Sequence, residues 1–444
     1  METIQWSQFE NYLLNKMNNE HICGVSVAVS QHGEVIYQKG FGYKNITTEE
    51  PITPNTIFGI ASITKSFTAL AIMELEDKGL INLDDPVIKH LPEWSIRGVR
   101  DMEQFKIYHL LSHTTGLAPM ERREDLNKLK EHVTYFDSKQ PEFLGKPGKF
   151  FSYCNDTFIL LGAIIERITG KLFRRHITEM ILNPLNMYRS TMSLEEVAKY
   201  EDVSTPYDYN GSTNKLEEQP WPRLGNYEVG GGVRSTALDL LKYGQFYLDA
   251  GKRNREQWIS SNVLKQMWIN PFEITEGSYY GYAFKVTKQY SNMTLVEHGG
   301  GQPGVSSNFG FIPEKNLVVA VLCNVSNIAA DDIWLRAVNT ALHIPFEQKR
   351  ITYPEKNLSI DQLANVVGKY SCEEGSSVKI FIENNRPMLN MNGEIFELKG
   401  ASANKLVIIK TERPIQFYFK GEGGRAWALL LGARMLIRRE EESS

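Results

Sequence analysis

Apolar residues in WSQFENYLLNKM (residues 6–17) recur at helical spacing and predict an amphipathic helix. The next stretch, GVSVAVSQHGEVIYQKGFGYKN, alternates apolar and polar positions about His32-Gly33, which predicts a β-hairpin. From Ser62 to Leu80 the period is again that of a helix, with Gly79 placed to cap its C-terminus. Residues 84–220 carry several helical patterns punctuated by Pro and Gly, among them Asp156–Thr169 closed by Gly170. Strand patterns return in YYGYAFKV, LVEHGG, SSNFGFIP and NLVVAVLCN, between Tyr279 and Asn324, and a last helical pattern covers Asp331–His343. Strands at both ends with helices between them predict one antiparallel sheet built from both ends of the segment, with a large helical insert.

After Pro345 the character changes. FEQKRITYPEKNLS is polar and reads as a linker. Between Val367 and Arg439, short strand patterns such as SVKIFIE, RPMLNMN, EIFELKG, KLVIIK, IQFYFKG and RAWALLLG alternate with Gly/Asn turns. That spacing predicts a small barrel or sandwich. The expected organisation is a first unit over residues 1–345, a linker over 346–360 and an all-β unit over 361–444, an α/β (α+β) chain as a whole. The Glu-rich residues 438–442 read as a solvated tail.

Composition narrows the function. The 444 residues are 42% hydrophobic and 23% charged, close to the soluble globular average, which excludes disorder. Lys and Arg total 49 against 53 Asp and Glu, a net charge of −4, so no electrostatic case exists for nucleic acid or an anionic membrane. Cys23, Cys154, Cys323 and Cys372 lie far apart, unlike a disulfide framework or a zinc finger. The N-terminus METIQWSQFENYLLNKMNNE lacks the basic start and apolar core of a signal peptide. The expectation is a cytoplasmic protein, or a secreted one if a leader has been removed.

Three short elements carry candidate chemistry. Ser62-Ile63-Thr64-Lys65 opens a helix, and side chains at i and i+3 share a helical face, so Lys65 can assist deprotonation of the Ser62 hydroxyl. Ser152-Tyr153-Cys154-Asn155 precedes the helix DTFILLGAIIERITG; a Tyr serves as general base if nearby cations hold its pKa down. Asn155 is placed to donate to a substrate carbonyl and accept from Lys65. His298-Gly299-Gly300-Gly301 ends a strand whose small residues let a substrate backbone approach closely. The Gly301 and Ser62 amides would form an oxyanion hole, and His298 would supply a donor or a positive charge. Each element alone has a bland reading: a helix cap, a buried Tyr, a Gly-rich bend.

Together, in this order, the three elements make the chain resemble the serine β-lactamase and penicillin-binding-protein superfamily, whose motifs are S-x-x-K, S-D-N and K-T-G. YCN stands here in place of SDN, and HGG in place of KTG. These variants are similar to those of class C β-lactamases, D-alanyl-D-alanine carboxypeptidases, D-aminopeptidases and β-lactamase-like esterases. LLSHTTGL (Leu110–Leu117), GKPGKFFSYCN and VGGGVRSTALDLLKYGQFY extend the resemblance over roughly residues 10–343. The resemblance implies a β-lactamase/transpeptidase-like fold, and the C-terminal unit is similar to the lipocalin-like barrel of some D-amino-acid peptidases and penicillin-binding-protein-type thioesterases.

The resemblance further implies Ser62 as the acylated nucleophile, with Lys65 and Tyr153 sharing proton transfer and Asn155 orienting the substrate amide. His298 takes the place of the K-T-G lysine, which weakens the β-lactamase reading. A D-amino-acid-specific peptidase or amidase ranks first, then a carboxylesterase, a peptide-cyclising thioesterase and a β-lactamase. A non-catalytic peptide or β-lactam sensor is the rival from another class. Expected partners are a small-molecule or short-peptide substrate and a further copy of the chain in a homo-oligomer, with no cofactor. His109 and His113 have the i, i+4 spacing of metal ligands but no HExxH glutamate, so no metal is expected. Gly230-Gly231-Gly232 lacks the GK[S/T] of a phosphate loop and reads as a close backbone approach to the cleft.

Overall fold

The computed structural model describes residues 2–253, 256–421 and 424–440. The chain enters through helix α1 (Glu2–Asn19) and the hairpin β1 (Gly24–Gln31) and β2 (Glu34–Asn45), followed by the short β3 (Glu50–Pro51). The six strands β4 (Phe272–Thr275), β5 (Ser278–Tyr280), β6 (Lys285–Tyr290), β7 (Met293–Gln302), β8 (Val305–Ile312) and β9 (Leu317–Cys323) return later. They join β1–β3 in one antiparallel sheet of order β4-β5-β6-β7-β8-β9-β1-β2-β3. The sheet is thus assembled from both ends of the segment, as the hydrophobic pattern implies. Strands β8 and β9 are buried at every position, as central strands covered on both faces must be.

Helices cover both faces. Phe9 and Leu13 of α1 pack with Trp334 and Val338 of a helix over Ala330–Ala341 on one side. The helical insert covers the other, and its centre is helix α2 (Thr64–Asp77), buried without interruption from Thr64 to Leu75. A helix buried on every side lies in the core, and its hydroxyls find partners there, Ser66 Oγ donating to the Ile63 carbonyl and Thr68 Oγ1 to the Val229 carbonyl. Helix α3 (Asn155–Thr169) packs beside α2 and ends at Gly170, whose φ of 66° is the left-handed cap expected of it. Helix α4 (Ala237–Leu248) crosses β9 so closely that a Cβ on Gly244 would lie 2.3 Å from Val318 Cγ1.

YYGYAFKV is not one strand but two, β5 and β6. The chain turns between them because Gly281 sits against the Met267 carbonyl, where a Cβ would come within 2.0 Å, and Ala283 adopts φ 56°. Residues 346–359 carry no helix or strand, but they are not loose. Arg350 forks onto the buried Glu297 at 2.6 and 2.7 Å, and the Lys356 amide donates to the Gly400 carbonyl.

Eight strands then close into a barrel: β10 (Gly368–Ser371), β11 (Ser377–Glu383), β12 (Arg386–Met391), β13 (Glu394–Ser402), β14 (Lys405–Ile408), β15 (Pro414–Phe419), β16 (Ala426–Leu431) and β17 (Arg434–Arg439). Closure comes from β10 pairing with β17, and Tyr370, Ile380, Leu389, Phe417 and Leu436 contribute to its core. Residues 441 and 442 of the expected tail lie outside the described residues, whereas Arg438 and Arg439 end β17.

The β16–β17 hairpin docks on the insert beside the SYCN segment. The Tyr153 amide donates to the Ala433 carbonyl at 2.8 Å, and the Met435 amide donates to Ser152 Oγ at 3.1 Å. Around these bonds Phe151, Tyr153 and Tyr280 form an apolar cluster with Leu430 and Met435. No helix among the described residues is long and apolar enough to cross a membrane.

The Gly244→Ala variant forces α4 off β9 and should cost about 1–3 kcal/mol, the usual cost of overpacking a filled core. A lowered urea midpoint is the expected result; an unchanged midpoint would show that α4 shifts freely.

Candidate active site

Ser62 lies in a single 3-10 turn, Ala61–Ile63, immediately before α2. Ala61 has φ 44°, a left-handed conformation that a side chain resists and that clusters at functional sites. Glycine makes the approach of β7 possible: a Cβ on Gly300 would stand 2.4 Å from the Ile60 carbonyl and 2.4 Å from Ser307 Oγ. Ser307 Oγ in turn donates to that Ile60 carbonyl at 3.0 Å. Gly301 has no atom within 4 Å of where its Cβ would be, and it lines the open cleft with Ser62 and Gly299.

Lys65 sits one turn into the helical segment, 1% exposed, with Nζ 3.4 Å from Ser62 Oγ and 3.2 Å from the Gly230 carbonyl. A Cβ on Gly230 would lie 2.6 Å from Nζ, so the glycine run brings backbone against the Lys65 ammonium. The ammonium rests 4.8 Å from the ring centre of Tyr153 and 5.5 Å from that of Phe158. No carboxylate among the described residues lies within ion-pair distance of it. Burial, reinforced by Arg434 and Arg122, brings its pKa down to about 7. A lysine in that state accepts a proton near neutral pH.

Tyr153 is 6% exposed, and its hydroxyl, facing Ser62, finds no protein partner of good hydrogen-bond geometry. Burial drives the phenol upward, and the opposing influence of Ser62 and Arg434 does not cancel it. The nearby cations thus do not hold the phenol down, and Tyr153 rests as a neutral phenol beside a Lys65 of lowered pKa.

His298 also departs from expectation. Its Nδ1 lies 2.6 Å from the Gly299 carbonyl and its Nε2 2.9 Å from Tyr280 Oη. A carbonyl only accepts, so Nδ1 carries the hydrogen and Nε2 accepts from Tyr280. Burial and the nearby Lys65 hold the ring neutral, with a pKa of about 3. It supplies no positive charge, and both nitrogens are committed within the protein.

Asn155 opens α3, and its Nδ2 donates to Glu374 Oε1 of the barrel at 2.7 Å. Burial would raise the Glu374 carboxyl, but the Arg434 guanidinium beside it and the Asn155 bond hold it below the usual range. Glu374 thus only accepts, and it engages one of the two N–H groups of the Asn155 amide expected to orient a substrate carbonyl. Arg434, paired through Nε with Glu374, lies 5.2 Å over the Tyr153 ring. Neither Glu374 nor Arg434 belongs to a motif; Gly432-Ala433-Arg434 was legible only as a turn, and Tyr280 only as part of a strand.

These groups face one cleft of about 930 Å³, walled by Ser62, Tyr153, His298 and Gly301 on one side and by Leu430, Gly432, Ala433 and Arg434 of the barrel on the other. His109 and His113 do not converge as ligands. His109 Nδ1 accepts the Lys106 amide, and His113 Nδ1 accepts the Cys154 amide beneath Tyr153.

A serine at the head of a buried helix, a lysine one turn on and a glycine-lined sheet strand are the marks of the β-lactamase and penicillin-binding-protein type of serine hydrolase. The Beta-lactamase family model matches residues 9–341, and the chain belongs to that family. It is similar to Penicillin-binding protein 4* of Bacillus subtilis (strain 168), 26% identical over 94% of this chain and 95% of that protein. Among solved structures it is similar to the octameric penicillin-binding protein homologue from Pyrococcus abyssi, at 29% identity and a TM-score of 0.71 over 97% of this chain and 99% of that one. It shares its fold with SurE at 18% identity, TM-score 0.77, over 99% of this chain and 100% of that one.

With Lys65 as base, kcat/KM should rise with pH through about 7 as the ammonium loses its proton. Removing the Arg434 charge favours the protonated lysine, so Arg434→Gln should move that limb to higher pH. A profile flat between pH 6 and 8, or a limb displaced downward in the variant, would contradict the assignment.

Proposed function

We propose that this protein is an acyl-transfer enzyme that forms an acyl-enzyme on Ser62, acting as a peptidase or amidase specific for a D-configured residue at the scissile bond. The observation that carries this reading is Lys65 Nζ at 3.4 Å from Ser62 Oγ, buried and close to neutral. Lys65 takes the hydroxyl proton as Oγ attacks the carbonyl carbon. The Ser62 and Gly301 amides receive the oxyanion, and the tetrahedral intermediate collapses with loss of the amine. Lys65 returns the proton to that amine, with the unpartnered Tyr153 hydroxyl placed to relay it. Water, or a second amine, then attacks the ester and releases the acyl group.

The neutral, fully engaged His298 counts against the branches that clamp a substrate carboxylate with the K-T-G lysine, β-lactamases included. It favours recognition through the acyl side, which amidases and the second reading, a carboxylesterase, share. Assembly into a homo-oligomer belongs to the same proposal, supported by the Pyrococcus abyssi homologue being octameric.

Peptide thioesters identical except for a D or L residue at the scissile carbonyl test the reading. Conversion of the D form alone is expected, and the product mass, linear or cyclic, identifies the acceptor. Equal turnover of both forms would favour the esterase. Ser62→Ala should lose at least about 10³-fold in kcat/KM, in line with removal of a nucleophile; wild-type turnover by that variant would refute the mechanism. Light scattering should give a mass several times 50.7 kDa, and a monomer would remove the oligomer from the proposal.

A further inference from the structure

The Glu374–Arg434 pair is carried by the barrel yet lies inside a site whose nucleophile belongs to the sheet-and-helix body. Glu374 has 8% of its side chain exposed and Arg434 33%, so the carboxylate lies behind and the guanidinium in front. Only Arg434 of the two lines the cleft with Ser62 and Tyr153. Its Nε is spent on Glu374, its terminal nitrogens form no hydrogen bond to another described residue, and its guanidinium carbon lies 5.2 Å from the centre of the Tyr153 ring.

Asn155 meanwhile has its amide nitrogen tied to the same Glu374. A carboxylate that accepts from both Asn155 and Arg434 fixes the two side chains relative to each other, and of the three it is Arg434 that lines the cleft. Because Glu374 neutralises the guanidinium, the pair suits a neutral oxygen better than a second carboxylate. A peptide carbonyl oxygen accepts a charge-assisted hydrogen bond from a guanidinium N–H.

We propose that Arg434, braced by Glu374, binds the acyl-side amide carbonyl of the substrate, so that the barrel supplies the group that selects peptidyl over simple acyl donors. The proposal rests on Ser62 being the acylated residue. Arg434 is then a substrate-binding residue and Glu374 a positioning residue that acts through Arg434 and Asn155. The backbone bonds from Tyr153 to Ala433 and from Met435 to Ser152 bracket Arg434 and hold it in register with the nucleophile.

Two thioesters distinguish this role from a purely structural one: N-acetyl-D-phenylalanyl, and 3-phenylpropionyl, which lacks the acetamido group. The quantity read is the ratio of their kcat/KM values, which does not depend on how much of a variant is correctly folded. Wild type should prefer the acetylated donor, and Arg434→Gln should cut that ratio about tenfold or more, the size expected for a hydrogen bond to a charged group. Arg434→Lys should also lose most of it, since a compact ammonium lacks the rigid plane that lets Arg434 hold Glu374 through Nε and present its other N–H groups to the substrate. If Arg434→Gln yields no active enzyme, Glu374→Gln serves instead, with a severalfold fall in the ratio carried mainly by KM.

Equal losses on both thioesters, with the ratio unchanged, would overturn the proposal and leave the pair a docking contact. So would a ratio that collapses in Asn155→Ala but not in Arg434→Gln. Failure of the underlying acyl-enzyme reading is separable, because it appears in the wild type as turnover of either thioester without an acyl adduct on Ser62.

Discussion

The burial of one ammonium group organises this site. Lys65 has 1% of its surface exposed and no carboxylate partner among the described residues; its contacts are a hydroxyl, a peptide carbonyl and two ring faces. Holding a charge there is costly, so the group gives up its proton near neutral pH and becomes a base. The surrounding backbone is shaped to pack closely around it and the serine. Gly230 brings a carbonyl where any side chain would collide, Ala61 accepts a strained backbone to present Ser62, and Gly300 lets β7 close over the turn.

The same low-polarity setting decides the states of the neighbours. Tyr153 stays a phenol and His298 stays an uncharged ring, because each would have to ionise beside apolar walls, and the imidazolium beside Lys65 as well. In the proposed reaction this leaves the lysine as the group that takes the serine proton, with the tyrosine hydroxyl as a conduit. Arg434 and Glu374 enter as a nearly neutral pair from the barrel, contribute with Arg122 to the potential at Lys65, and fix the orientation of Asn155. The barrel is thus physically continuous with the site.

Local pattern revealed the elements that act locally. The i, i+3 spacing of Ser62 and Lys65, the hairpin at His32-Gly33 and the cap at Gly170 are short-range consequences of backbone geometry, and each is where the pattern places it. The antiparallel sheet built from both ends was legible because strand patterns, alternating in β1 and uniformly apolar in β9, stand on either side of the helical stretch. The protonation states of Tyr153 and His298 were not, since they depend on burial by Tyr280 and by the β16–β17 hairpin, which close around them from distant parts of the chain. Glu374 lies 219 positions from Asn155 and 60 from Arg434, separations that only barrel closure and docking bring together. The split of YYGYAFKV escaped the period-two pattern because the turn is imposed by the Met267 backbone and not by a turn residue pair.

The most direct measurement of the central claim is rapid-quench mass spectrometry of the wild-type protein with a slowly released D-aminoacyl ester, followed by peptide mapping. The account predicts one added acyl mass on the peptide containing Ser62, accumulating faster at pH 8 than at pH 6. An adduct on another residue, or turnover with no covalent intermediate at either pH, would contradict it.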